Sequence, residues 1–172
     1  KTRAPLKQAE VYPQFESGPL DVWVGVGGTP ESVIRVARQD ASLMLAIIGG
    51  DPARFRPLVD LYLNSCKRLA RAPKPIGVHV PGFVAATDEQ ARERFWPHYQ
   101  KMMNRLGRER GWPAMTRQQF LYEAESGALF VGSPMTVAKK IVRAVKALSL
   151  QRFDLKYTTG PVPHAHQLDC IR

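Results

Sequence analysis

Cysteine is scarce in this chain: Cys66 and Cys170 are the only two in 172 residues. Neither belongs to a C-x-x-C or Cys/His cluster, which argues against a zinc site and against a disulfide framework, and no metal is expected. Such usage predicts a reducing, cytoplasmic setting. Long apolar runs are also missing. No stretch approaches the roughly 18 residues that cross a bilayer, and no signal-peptide pattern is present, so no membrane partner is expected. The chain opens on Lys1 rather than Met, and a longer N-terminus is expected. Basic runs longer than two residues are absent despite a net charge of +10 and a pI near 10.0. The excess is spread along the chain, with 11 basic against 7 acidic residues over 1–86 and 14 against 8 over 87–172. Lys139, Lys140, Arg143 and Lys146 alternate with Val137, Ile141, Val142, Val145 and Leu148, the pattern of a solvated amphipathic face. Specific nucleic-acid recognition is therefore not expected. There is no Ser-His-Asp arrangement, no H-E-x-x-H, no spaced carboxylate pair and no Walker A loop.

What is present is an alternation of short apolar runs and amphipathic stretches. Residues 1–19 lack periodicity and contain Pro5, Pro13, Gly18 and Pro19, which predicts a lead-in loop. Leu20–Val26, Leu43–Ile48 and Ile76–Ala85 read as strands buried on both faces. Pro81-Gly82 predicts a bulge or bend in the third of these. Thr29, Asp51, Thr87 or Asp88, and Ser133 are expected to cap helices, with Pro30, Pro52 and Pro134 at first helical positions. Residues 112–126 read as a helical insertion, Ala128–Val131 as a short extended piece, and Arg152–Thr159 as the last main strand. Beyond Gly160-Pro161 a helix from His164 is expected. Over 20–172 this amounts to about four βα units, so parallel strands with right-handed crossovers are the economical arrangement. Half of an eight-stranded barrel and a small open sheet both satisfy the pattern.

In either architecture ligands sit at the C-terminal strand ends. The turn Gly27-Gly28-Thr29-Pro30-Glu31-Ser32 is the most telling of these ends. Two glycines allow close backbone approach, the following helix offers unpaired N–H groups, and Thr29 and Ser32 add hydroxyl donors. An anion such as phosphate suits it, although the same residues also make an ordinary tight βα turn. Gly49-Gly50-Asp51 repeats the grammar, which adds Gly50 as a candidate. His79 lies mid-strand, where it could serve as acid, base or ring neighbour or be a core residue. His164 and His166 occupy a strand-end segment, while His98 is expected on a helix surface. The stripe from Phe95 to Leu106 reads as core. Few acid–base groups beside an anion-ready turn suit a bound cofactor that carries the reaction itself.

Trp23–Arg38, Leu43–Tyr62, Met103–Pro113 and Leu129–Val142, in this order, resemble the C-terminal half of luciferase-like, flavin-dependent monooxygenases. The likeness runs over about residues 11–164. It implies the last four strands of a (β/α)8 TIM barrel, with Gly27, Gly28, Thr29 and Ser32 contributing to a flavin phosphate site. It further implies reduced FMN and O2 acting on a small organic substrate, with NAD(P)H or a partner flavin reductase as the source of electrons. Related barrels use the deazaflavin F420, so an F420-dependent reductase or dehydrogenase is the nearest alternative; a non-catalytic half-barrel module is another. The first half of the barrel is absent from these residues, which predicts a homodimer or pairing with the missing N-terminal half. Without such a partner the sheet edge would be exposed to aggregation.

Overall fold

The computed structural model describes residues 5, 7–10, 12–14, 17–18 and 20–172. The lead-in expected over 1–19 lies partly outside them, and its described residues form neither helix nor strand. Strand β1 (Trp23–Val26) leads into helix α1 (Pro30–Arg38), and β2 (Ser42–Ala46) leads through a 3-10 turn at Pro52–Phe55 into α2 (Arg56–Arg68). Strand β3 (Ile76–Val84) is followed by the long α3 (Asp88–Arg110) and by α4 (Arg117–Glu125), a helix within the span 112–126. The short β4 (Phe130–Gly132), α5 (Pro134–Leu148), β5 (Arg152–Lys156) and α6 (His164–Ile171) complete the chain.

Every strand pairing is parallel. Strands β1, β2, β3 and β5 lie side by side in chain order, with no reversal. Right-handed crossovers between strands laid down in one direction carry their helices to one face, as in a barrel rather than a doubly wound sheet. Helices α1, α2 and α5 do pack on a common face. Val33, Val36, Val59, Tyr62, Val137 and Leu148 close over Val26, Leu43, Leu45, Val78 and Val80 in one buried cluster. Side chains alternate along a strand, so Trp23, Met44, His79 and Arg152 belong to the opposite face. There the Arg152 guanidinium lies 4.9 Å over the Trp23 ring. Gly77 leaves room for this stack, since a Cβ there would stand 2.8 Å from Trp23 and 3.2 Å from Arg152.

Three expectations are corrected. Strand β3 runs through Pro81-Gly82 without a bulge, and changes partner instead. Pro81 is the last residue opposite β5, and Gly82, Phe83 and Val84 pair with β4. A residue without an N–H marks the point where one ladder hands over to another. Strand β1 begins at Trp23, since Leu20 and Val22 are exposed rather than buried. Strand β5 ends at Lys156, three residues early, and Thr159 turns its hydroxyl back to the Lys156 carbonyl at 3.1 Å.

A second buried cluster sits beyond the C-terminal strand ends. Phe83 stacks on Phe95 with centroids 5.5 Å apart, and Tyr99, Phe120, Leu129 and Val131 complete it. It fixes α3 and α4 over that end of the sheet. Helix α6 is tied to β3 by the Val84 N–H, which donates to the Cys170 Sγ at 3.2 Å.

Candidate cofactor and substrate site

The first βα turn forms as predicted. Thr29 stands at the N-cap of α1 with extended backbone and Pro30 at the first helical position. Gly28 takes φ +128°, a conformation that a side chain would strain. The Thr29 hydroxyl does not cap the helix but donates to the Ser32 Oγ at 2.7 Å, with an Arg35 N–H 3.5 Å from the same oxygen. Gly27, Gly28 and Thr29 are exposed. By contrast, Thr87, Thr116 and Ser133 spend their side chains on the first turns of α3, α4 and α5. The positive end of α1 therefore keeps its capacity for an external anion.

Gly28 and Gly49 from neighbouring strand ends line a cavity of about 390 Å³ together with Arg54, Phe55, Pro57 and Leu58. Arg54 is a cation that the sequence motif did not single out. It sits in the 3-10 turn after the next strand, one βα unit along the chain from Gly28, so no local spacing could expose it. The Gly50 amide is engaged within the protein: its N–H donates to both carboxylate oxygens of Glu123, at 3.1 and 3.0 Å. A ligand reaching that amide would have to displace Glu123.

A second cavity, of about 180 Å³, lies at the strand ends of the opposite face. Ile48, His79 and Pro81 form its floor, Tyr99, Met102, Met103 and Leu106 from α3 cover it, and Lys156, Arg110 and Trp112 stand at its margin. The predicted core stripe of α3 thus divides. Phe95 is packed away inside, whereas the two methionines and Leu106 wall a cavity. His79 is brought into this cavity; His164 is not, and lies exposed on the first turn of α6. His98 is half-buried on α3 rather than at a free surface, and its basicity is lowered by burial and then by His166 and Lys101 nearby. The His166 Nδ1 is buried without a hydrogen-bond partner.

Among the described residues no cluster of three or more His, Cys, Asp or Glu could hold a metal ion. Among the same residues no helix is long and apolar enough to cross a membrane.

No protein-family model matches the chain, and no curated protein matches it. Solved structures do. The monooxygenase RslO1 from Streptomyces bottropensis superposes with a TM-score of 0.64 at 18% identity, covering 87% of this chain and 44% of RslO1. The oxygenating constituent of 3,6-diketocamphane monooxygenase from Pseudomonas putida, in complex with FMN, gives 0.60 at 16% identity, covering 87% and 45%. An F420-dependent secondary alcohol dehydrogenase, in complex with an F420-acetone adduct, gives 0.62 at 12% identity, covering 96% and 51%. The chain spans about half the length of the structures it matches. It therefore has the parallel β/α fold of one half of such oxidoreductases, the fold that its likeness to luciferase-like monooxygenases implies.

Proposed function

We propose that the chain is the half of a luciferase-like, flavin-dependent monooxygenase that anchors the cofactor phosphate and covers the reacting end. The observation that carries this reading is the meeting, at one end of a singly wound sheet, of an uncapped helix N-terminus and a cavity containing His79. The residues present fit FMN. Gly27 and Gly28 admit a phosphate to the backbone, and the Thr29 and Ser32 hydroxyls, already turned toward each other, offer donors. Arg54 adds charge from the neighbouring strand end. When bound, reduced FMN supplies the activation of O2 and the oxidation of the organic substrate. The protein's own share is to hold the anionic end and to exclude water with Tyr99, Met102, Met103 and Leu106. His79 presents a group able to hold or give up a proton in that cavity. Electrons come from NAD(P)H directly or through a partner reductase, in the cytoplasm. The face carrying Trp23 and Arg152 is closed by the other half of a barrel or by a second copy of the chain.

Titration of the intact protein with FMN tests this reading. Saturable quenching of flavin fluorescence is expected, with Gly28→Asp weakening it at least tenfold, because the new carboxylate would stand where the phosphate binds. No binding, or a Gly28→Asp protein indistinguishable from wild type, overturns the reading. The F420-dependent neighbour favours a second assignment, deazaflavin-dependent hydride transfer, and binding of F420 in preference to FMN would select it. A protein that ignores both cofactors yet forms a stable complex with another chain would be a non-catalytic barrel module.

A further inference from the structure

A roomy cavity lies outside the site just described. It measures about 480 Å³ and runs between the C-terminal end of α3 and α4. Its wall includes Met103, Trp112, Pro113, Met115, Tyr122 and Glu123. Met103 and Trp112 also line the cavity of His79, so the two spaces share one partition. A methionine side chain has three rotatable bonds and adapts its shape readily. The partition is thus the kind of wall that a substrate can pass.

The outer cavity is a built feature. The Trp112 N–H donates to the Gly107 carbonyl at 2.9 Å, and the Met115 N–H to the Asn104 Oδ1 at 2.9 Å. The Gln100 side chain donates to the Met115 carbonyl at 3.1 Å. These bonds pin the segment between α3 and α4 to α3 itself. Arg117 fixes the other side, lying over the rings of Trp96 and Phe120 and pairing with Glu93. Within this rigid frame two large aromatic side chains stay open to the outside, Trp112 at 40% and Tyr122 at 63% exposure.

The lining also sets the chemistry of the occupant. A volume within about 300–1,000 Å³ is that of a small-molecule site. The one charged lining group, Glu123, already accepts from the Gly50 and Ala128 N–H groups, so it offers no strong partner to a cation. Its negative charge still disfavours an anion. Gln118, the Gln119 Nε2 and the Tyr122 hydroxyl remain as neutral hydrogen-bonding groups, the Gln119 Oε1 being taken by the Thr116 N–H at 3.0 Å. We propose that this cavity seats a flat, neutral, mainly apolar organic substrate. Its rings lie against Trp112 and Tyr122, and it reaches the His79 cavity past Met103.

The seat deepens the monooxygenase reading and rests on it for the reaction, but the binding can be tested separately. The probe is 2-naphthol at pH 7, with 2-naphthoate as its charged counterpart. Each is titrated into the intact, FMN-supplemented protein and followed by calorimetry. The expected result is saturable binding of 2-naphthol, at least tenfold weaker binding of 2-naphthoate, and about tenfold weaker 2-naphthol binding in Tyr122→Ala. FMN affinity and melting temperature should stay unchanged in Tyr122→Ala, whose side chain is mostly exposed. Met103→Trp should block 2-naphthol by filling the partition. Failure of 2-naphthol to bind, equal binding of the two probes, or equal binding by wild type and Tyr122→Ala overturns the proposal. If 2-naphthol behaves as expected while FMN does not bind at all, the seat stands and the flavin assignment falls.

Discussion

Glu123, on helix α4, receives the Gly50 N–H on both carboxylate oxygens, across 73 residues of chain. The same carboxylate accepts the Ala128 N–H at 3.0 Å. Behind it, the Lys140 ammonium donates to the Ala124 and Leu129 carbonyls, both at 2.6 Å. Helix α4 is thereby fastened to the turn after β2, which borders the Gly28 and Arg54 cavity. Removing a charged acceptor from two part-buried amides costs about 2–3 kcal/mol. Glu123→Ala should show that loss in urea denaturation and should also weaken FMN. Glu123→Gln, which keeps one oxygen, should lose about half as much.

Much of this arrangement was legible in the sequence because it is local. The caps at Asp51, Thr87 and Ser133 and the prolines at first helical positions act within a few residues and appear where predicted, while the apolar strands appear in the predicted order with shifted ends. Periodicity left a barrel half and an open sheet both standing; the resemblance implied the barrel half, and the strand order agrees with it. That choice rests on strand order, which no periodicity records. The site was legible by halves. Gly27, Gly28, Thr29 and Ser32 lie within one turn, and His79 fell on the cavity side because strand side chains alternate. Arg54, Glu123 and the Met103–Trp112 partition depend on contacts between distant elements. Gly50 was read as available because its actual partner lies 73 residues away.

Gly82 sits where three elements crowd together. A Cβ there would fall on the Leu155 side chain and lie 2.5 Å from the Phe130 carbonyl oxygen. The side chain can shift, but the carbonyl belongs to the ladder that joins β3 to β4. Gly82→Ala should therefore cost about 3 kcal/mol or more, toward the upper end for overpacking. Thermal denaturation of this variant beside Gly28→Ala makes the comparison. Gly28 has no atom near its Cβ position, and the alanine there should lose about 1–3 kcal/mol, from backbone strain alone.

Tyr62 joins α2 to the start of β2 and to the loop before β3. Its hydroxyl donates to the Ala41 carbonyl at 2.9 Å and accepts the Lys74 N–H at 3.1 Å. Burial, and then Cys66 beside it, push the phenol up to about 12. The native protein keeps this proton over a range where the unfolded chain, titrating near 10, loses it. The stabilisation is thus complete below about pH 10 and fades as pH rises toward 12. Tyr62→Phe should lose about 1–3 kcal/mol at pH 7 from the unpaired carbonyl and amide. Urea denaturation from pH 7 to 10.5 should then show a shallower alkaline decline in the variant than in wild type.

Asp88 begins α3 but serves the start of α5. Its carboxylate accepts the Ser133 N–H at 2.6 Å through Oδ1 and the Thr136 hydroxyl at 3.0 Å through Oδ2. Hydrogen bonding from Ser133, and then from Thr136, holds its pKa below the usual carboxylate value. A depressed carboxylate stabilises the fold above its unfolded pKa, near 4, and that contribution is lost as pH falls through the lower native value. Asp88→Ala removes the acceptor from the start of a helix and should cost about 1–2 kcal/mol at pH 7. Asp88→Asn keeps one acceptor oxygen and no titration, so it should lose less at pH 7 and respond less to acid. Denaturation of the three proteins at pH 7, 5 and 3 separates the two effects. The gap between wild type and Asp88→Asn should narrow as the pH falls, and a gap that stayed constant would mean that the Asp88 charge contributes nothing to the cap.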